Sequence, residues 1–125
     1  MLVDSDVLIW SMRGHAGAVN ALSAISLLRM SVVTYMELAQ GCRNKTELKQ
    51  FKKALQLCKA VIEPLDEATS VLAAQLIDAY ALSQNLRVAD ALIAATAMTR
   101  SLRLLTGNGK HFSKIDGLNI EVFTP

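Results

Sequence analysis

At 125 residues the chain is close to the commonest domain size, long enough for one substantial core and too short for two, so residues 1–125 are expected to form a single domain. Apolar residues make up 52% and mean hydropathy is +0.32, high for a small monomer, which points to apolar surface covered by another subunit or partner. No apolar run is long enough to span a membrane, and Cys42 and Cys58, with no CxxC and no nearby His pair, argue against a zinc site or a disulfide framework.

The net charge of +2 is weak, but its distribution is uneven. Between Cys42 and Lys59 stand Arg43, Lys45, Lys49, Lys52, Lys53 and Lys59 against the single acid Glu47, a local net of +5 that leaves −3 for the remainder. Such a segment beside an acidic site suits a polyanion that must meet carboxylates; an ordinary solvated helix face gives the same pattern.

In chain order, Leu2-Val3 reads as a short buried strand that runs into Asp4-Ser5-Asp6 and then a helix. A carboxylate is costly to bury without a partner, and the carboxyl ends of strands in an open α/β sheet are where ligands sit. The acidic pair could therefore hold a divalent cation, or Ser5 or Asp6 could cap the helix with Asp4 as a turn residue. The first residues lack a basic run, and Asp4 and Asp6 interrupt the apolar one, which argues against a signal peptide and for a cytoplasmic protein.

Arg13-Gly14-His15 breaks the pattern, with His15 as a solvated turn residue, and Ala16 to Ile25 resumes it as a second helix. Leu27 to Val33 reads as a second strand, followed by a helix with Thr34 as N-cap and Gly41 as its stop. Thr34 and Glu37 match a capping box, while Glu37 in a first turn could equally face the same sheet end as Asp4. Lys45 to Lys59 is amphipathic, Val61 to Leu65 a third strand, and Asp66 an N-cap for a helix with a Leu72, Leu76 and Tyr80 stripe.

Ala89 to Met98 is apolar nearly all round, so it belongs in the core, and Asp90 at its mouth is a misfit. It could be a cap interacting with the helix dipole or a metal ligand facing Asp4. Arg103 to Thr106 is a fourth strand and Gly107 to Phe112 a loop in which Thr106 and Asn108 could orient water or a carboxylate, or simply form a turn. Leu118 to Phe123 is the fifth strand, giving an α/β domain with a mainly parallel sheet of about five strands flanked by helices.

Together LVDSDVLI, SVVTYMEL, RVADALIAATA and LLTGNGKHF resemble the four motifs of a PIN domain, in particular of the VapC-type toxins of toxin–antitoxin pairs. The resemblance spans nearly the whole chain. It implies an endoribonuclease using Mg2+ or Mn2+, with Asp4, Glu37 and Asp90 matching the family's acids and Thr106 and Asn108 its Thr-x-Asn/Asp pattern. His111 stands where many relatives have an acid, which leaves a second metal open; Asp6 is a possible substitute. It further implies a homodimer and a small VapB-like antitoxin whose C-terminal segment covers the acidic site. Two other readings compete: a PIN-like module that binds RNA or protein without turnover, and a haloacid dehalogenase-type phosphohydrolase, whose Asp-x-Asp nucleophile Asp4-Ser5-Asp6 also resembles.

Overall fold

The computed structural model describes residues 1–125. Five short parallel strands, β1 (Leu2–Val3), β2 (Arg29–Ser31), β3 (Val61–Glu63), β4 (Leu104–Thr106) and β5 (Ile120–Val122), form one sheet in the order β3-β2-β1-β4-β5. The helices are α1 (Ser5–Met12), α2 (Ala16–Ser23), α3 (Val32–Gln40), α4 (Lys45–Leu57), α5 (Glu67–Gln84), α6 (Val88–Thr99) and α7 (Gly109–Phe112).

Side chains alternate across a strand, and the central strands use that period to feed two cores. Leu2 and Leu104 join Val33, Ile93, Ala94, Phe112 and the inner faces of α5 and α6. Their neighbours Val3 and Leu105 join Val7, Leu8, Met30, Leu38 and Phe51 on the other face, under α1, α2 and α4. The central strands are buried on both faces, as expected of parallel strands covered by crossover helices. As anticipated, α6 lies within the core, with Ala91, Ile93, Ala94, Ala95, Thr96 and Ala97 all buried.

Several local expectations give way to tertiary contacts. The second strand is only Arg29–Ser31, because Val32 and Val33 already belong to α3. The cap is Ser31, which accepts the N–H of Val33 at 3.1 Å, and not Thr34, which lies inside the helix with its hydroxyl buried and unpartnered. Glu37 consequently sits in the second turn of α3. The Gly107 to Phe112 loop contains the short helix α7, and His15 is no solvated turn: its Nδ1 accepts the N–H of Ala18 at 3.2 Å, capping α2, and its ring lies edge-on to Trp10 and Phe123. Asp66 does cap α5, accepting the N–H of Thr69 at 2.8 Å.

Candidate active site

The chain winds from β1 outward through β2 to β3, then crosses back to β4 and β5 on the other side. The order therefore reverses between β1 and β4, and in open α/β sheets the crevice at the carboxyl ends of such strands is where ligands bind. Asp4 follows β1 and Thr106 ends β4, one step beyond the pairs Leu2 with Leu104 and Val3 with Leu105. Thr106 Oγ1 donates to Asp4 Oδ2 at 2.8 Å across that junction.

Asp4 is also the cap of α1, which neither Ser5 nor Asp6 is: its Oδ1 accepts the N–H of Ser5 at 2.8 Å. A carboxylate at a helix N-terminus is favoured by the helix dipole, and Asp6 in the first turn shares that benefit. Ser5 Oγ lies 3.3 Å from both Asp4 Oδ1 and Glu37 Oε1, so it links the carboxylate after β1 to the one on α3. A hydroxyl has one hydrogen, which serves one of these oxygens at a time. Ser5 is the member of the site that sequence reasoning missed; its position between two acids at a strand end was the available signal.

Asp4 is only 6% exposed, and its partners are a hydroxyl pair and an amide rather than a cation. Burial, reinforced by the nearby charge of Asp6, pushes its pKa up to about 6, against the opposing effect of the bonds from Thr106 and Ser5. An ionised carboxylate here lacks positive charge, and hard oxygen donors are what a small divalent cation prefers. No three acids or histidines are close enough to form a ligand cluster on their own.

The segment Thr106 to His111 touches three carboxylates. Besides the Thr106 bond to Asp4, the Gly107 N–H donates to Asp6 Oδ2 at 2.9 Å and His111 Nδ1 lies 3.2 Å from Asp90 Oδ2. Asp90 is in the first turn of α6 but does not cap it; Arg87 occupies the cap position without a side-chain bond. Asn108 contributes its backbone N–H, donated to Thr106 Oγ1 at 2.9 Å, which leaves the Thr106 hydrogen free for Asp4. Its side chain forms no cap bond to α7. The structure thus joins Asp4, Asp6, Glu37 and Thr106 in one network and ties Asp90 to the same segment through His111.

The basic segment divides between two surfaces. Arg43 lines a groove with Arg13, Met12 and Glu37, between α1, α3 and α4. Lys49, Lys52, Lys53 and Lys59 instead line a depression with Tyr35, beside the edge strand β3. Trp10 and Met12 are both exposed, at 37% and 59%.

A three-layer α/β/α domain with carboxylates gathered at the switch point defines the class, and the chain belongs to the PIN-domain family, whose model matches residues 1–118. That membership replaces the phosphohydrolase reading of Asp4-Ser5-Asp6. Among named relatives, the chain is 34% identical over 122 residues to Ribonuclease VapC10 of Mycobacterium tuberculosis, covering 94% of this chain and 90% of that one. Among solved structures it is similar to a toxin–antitoxin complex from Klebsiella pneumoniae, at 28% identity and TM-score 0.80, covering 94% and 93% of the two chains. VapBC2 from Rickettsia felis, bound to a DNA fragment from the promoter, shares the fold at TM-score 0.80 and 21% identity, over 98% of each chain.

Proposed function

We propose that the chain is a metal-dependent endoribonuclease of the VapC toxin kind, using Mg2+ or Mn2+ and restrained by a small VapB-like antitoxin. The observation that carries this reading is Asp4: a buried carboxylate without a cationic partner, next to Asp6 and bridged by Ser5 to Glu37, at the sheet's switch point. Similarity to a named ribonuclease over nearly the whole chain supports the substrate class, and likeness to a toxin–antitoxin complex supports the partner.

Asp4 and Asp90 are the residues that would hold the cation, directly or through water. When bound, such an ion supplies positive charge against phosphoryl oxygens and makes water more acidic. Thr106 keeps one oxygen of Asp4 fixed, and the Asn108 N–H fixes Thr106 in turn. Glu37 is exposed beside this pair and orients the attacking water, accepting its proton as the oxygen adds to phosphorus. The bond to the 3′ oxygen breaks in line, leaving a 5′-phosphate and a 3′-hydroxyl that takes its proton from solvent. Arg13 beside Glu37 meets a phosphate flanking the scissile one, while Arg43 in the same groove is paired with Glu47 at 2.8 Å. A homodimer and cytoplasmic action complete the proposal; the exposed apolar residues Val71, Leu82 and Val88 of α5 and α6 are surface that a second subunit could cover.

Purified protein free of antitoxin should cut total cellular RNA with Mg2+ or Mn2+ and lose that activity in EDTA. Asp4→Asn and Asp90→Asn should each lower the rate by at least about a hundredfold, as expected when a transition-state electrostatic contact is removed. Equal cleavage in EDTA would sink the metal-dependent reading. No cleavage by folded protein under any metal condition would favour the binding module without turnover.

A further inference from the structure

Helix α1 turns two neighbouring faces toward the site. Ser5 and Ile9, four residues apart, share one: Ser5 Oγ reaches Glu37, and Ile9 lines the groove with Glu37 and Arg13. Asp6 and Trp10 share the next, about 100° around the helix. Asp6 Oδ2 accepts the N–H of Gly107 at 2.9 Å, so this second face looks onto the turn after β4. Trp10 stands one helical turn, about 6 Å, beyond Asp6.

A row of rings fixes the indole there. Its centroid lies 5.2 Å from that of His15 with 67° between the planes, and His15 lies 5.8 Å from Phe123 at 87°. Phe123 is buried and its N–H donates to Thr106 O at 2.8 Å, which anchors the row to the residue that holds Asp4. His15 Nδ1 is committed to the cap of α2, and Gly17 leaves the ring its room, since a Cβ there would meet it at 3.0 Å. An exposed apolar side chain standing alone needs no explanation. Trp10 is instead held edge-on at the rim of a carboxylate site, 37% exposed and with no ring lying parallel to its own. A flat, fixed indole with an uncovered face is what an unpaired base stacks on.

We infer that Trp10 is a substrate-binding residue on which a base of single-stranded RNA stacks beside the scissile phosphate. The inference rests on the ribonuclease reading above. Bases of a duplex are occupied by one another, so the strand that Trp10 accepts is unpaired. From the carboxylates the RNA leaves one way along the groove with Arg13 and the other way over Trp10. Every base has a π-face, so the contact selects for single strands more than for a particular base.

The test uses the purified, antitoxin-free chain in EDTA, where the reading above expects no cleavage, and a random-sequence single-stranded RNA decamer labelled at one end. Binding is followed by anisotropy of the label and by the emission of Trp10, the sole tryptophan of the chain. RNA should quench that emission as it binds, whereas inorganic polyphosphate, a polyanion without bases, should not. Trp10→Leu keeps an apolar side chain but no ring, and should weaken RNA binding about ten- to a hundredfold, while Trp10→Phe keeps most of it. A packing role alone would leave Leu and Phe alike. RNA that binds without changing the emission overturns the inference, as does equal RNA affinity in the wild type and a folded Trp10→Leu. If Trp10→Leu fails to fold, the wild-type emission decides unaided. A wild type that neither binds RNA nor cleaves it with Mg2+ refutes the ribonuclease reading itself, a different failure from RNA that binds away from Trp10.

Discussion

Asp4 binds its proton more tightly in the folded chain than in the unfolded one, with a pKa of about 6 against an ordinary 3.8, mainly because burial penalises its charge. Between those values the native state holds more protons, so the stability of the metal-free protein falls as pH rises from about 4 to about 6, by roughly 3 kcal/mol, and is level above. Asp4→Asn removes that cost. In EDTA it should raise Tm by several degrees at pH 7.5 and give no gain at pH 4; an equal gain at both values would refute the electrostatic account. The placement of Asp4, Asp90 and Thr106 was legible in the sequence, since they are polar residues at strand and helix junctions of otherwise apolar segments. Fine placement was not. Ser31 and Thr34 are both capping residues, and the intervening Val32 and Val33 suit a strand, so only packing could choose Ser31 and leave the Thr34 hydroxyl unpartnered.

The polar contacts from Thr106 to His111 make the turn after β4 the element on which the site depends. Gly107 is set so close that a Cβ there would meet Asp6 Oδ2 at 2.7 Å. Gly107→Ala should therefore push Asp6 away and break its bond to the backbone, costing about 1 kcal/mol in stability and lowering RNA cleavage while the fold persists. Unchanged cleavage would show that Asp6 has no part in the reaction. The sequence shows this turn as Gly-Asn-Gly and conceals α7, because a four-residue helix has no periodicity to detect and Phe112 fixes it only through the core. The five strands were legible along the chain, β1 at its observed length and the other four too long, since two or three residues suffice where helices cover both faces; their order in the sheet was not read from the sequence.

At the scale of the whole molecule, charge is unevenly placed: Asp4, Asp6, Glu37 and Asp90 lie around the switch point, Arg13 and Arg43 line a groove with Glu37, and four lysines line a separate depression beside β3. None of the salt bridges engages Lys49, Lys52, Lys53 or Lys59, so these cations are available to a polyanion. Charge reversal at Lys49, Lys52 and Lys53 together should weaken RNA binding and flatten its salt dependence, by about 0.7 per lost contact in the slope of log affinity against log salt. An unaltered slope would place the RNA elsewhere. The clustering of lysines was legible; their separation from the arginines was not, because it depends on how α4 is rotated against the sheet. Thr106 and Asp4 meet across 102 residues of sequence. During synthesis β1 emerges first and waits for β4, so a chain still on the ribosome has the first acid but no switch point. Translation and activity are thereby separated in time, and a cell producing this chain has that interval in which to capture it.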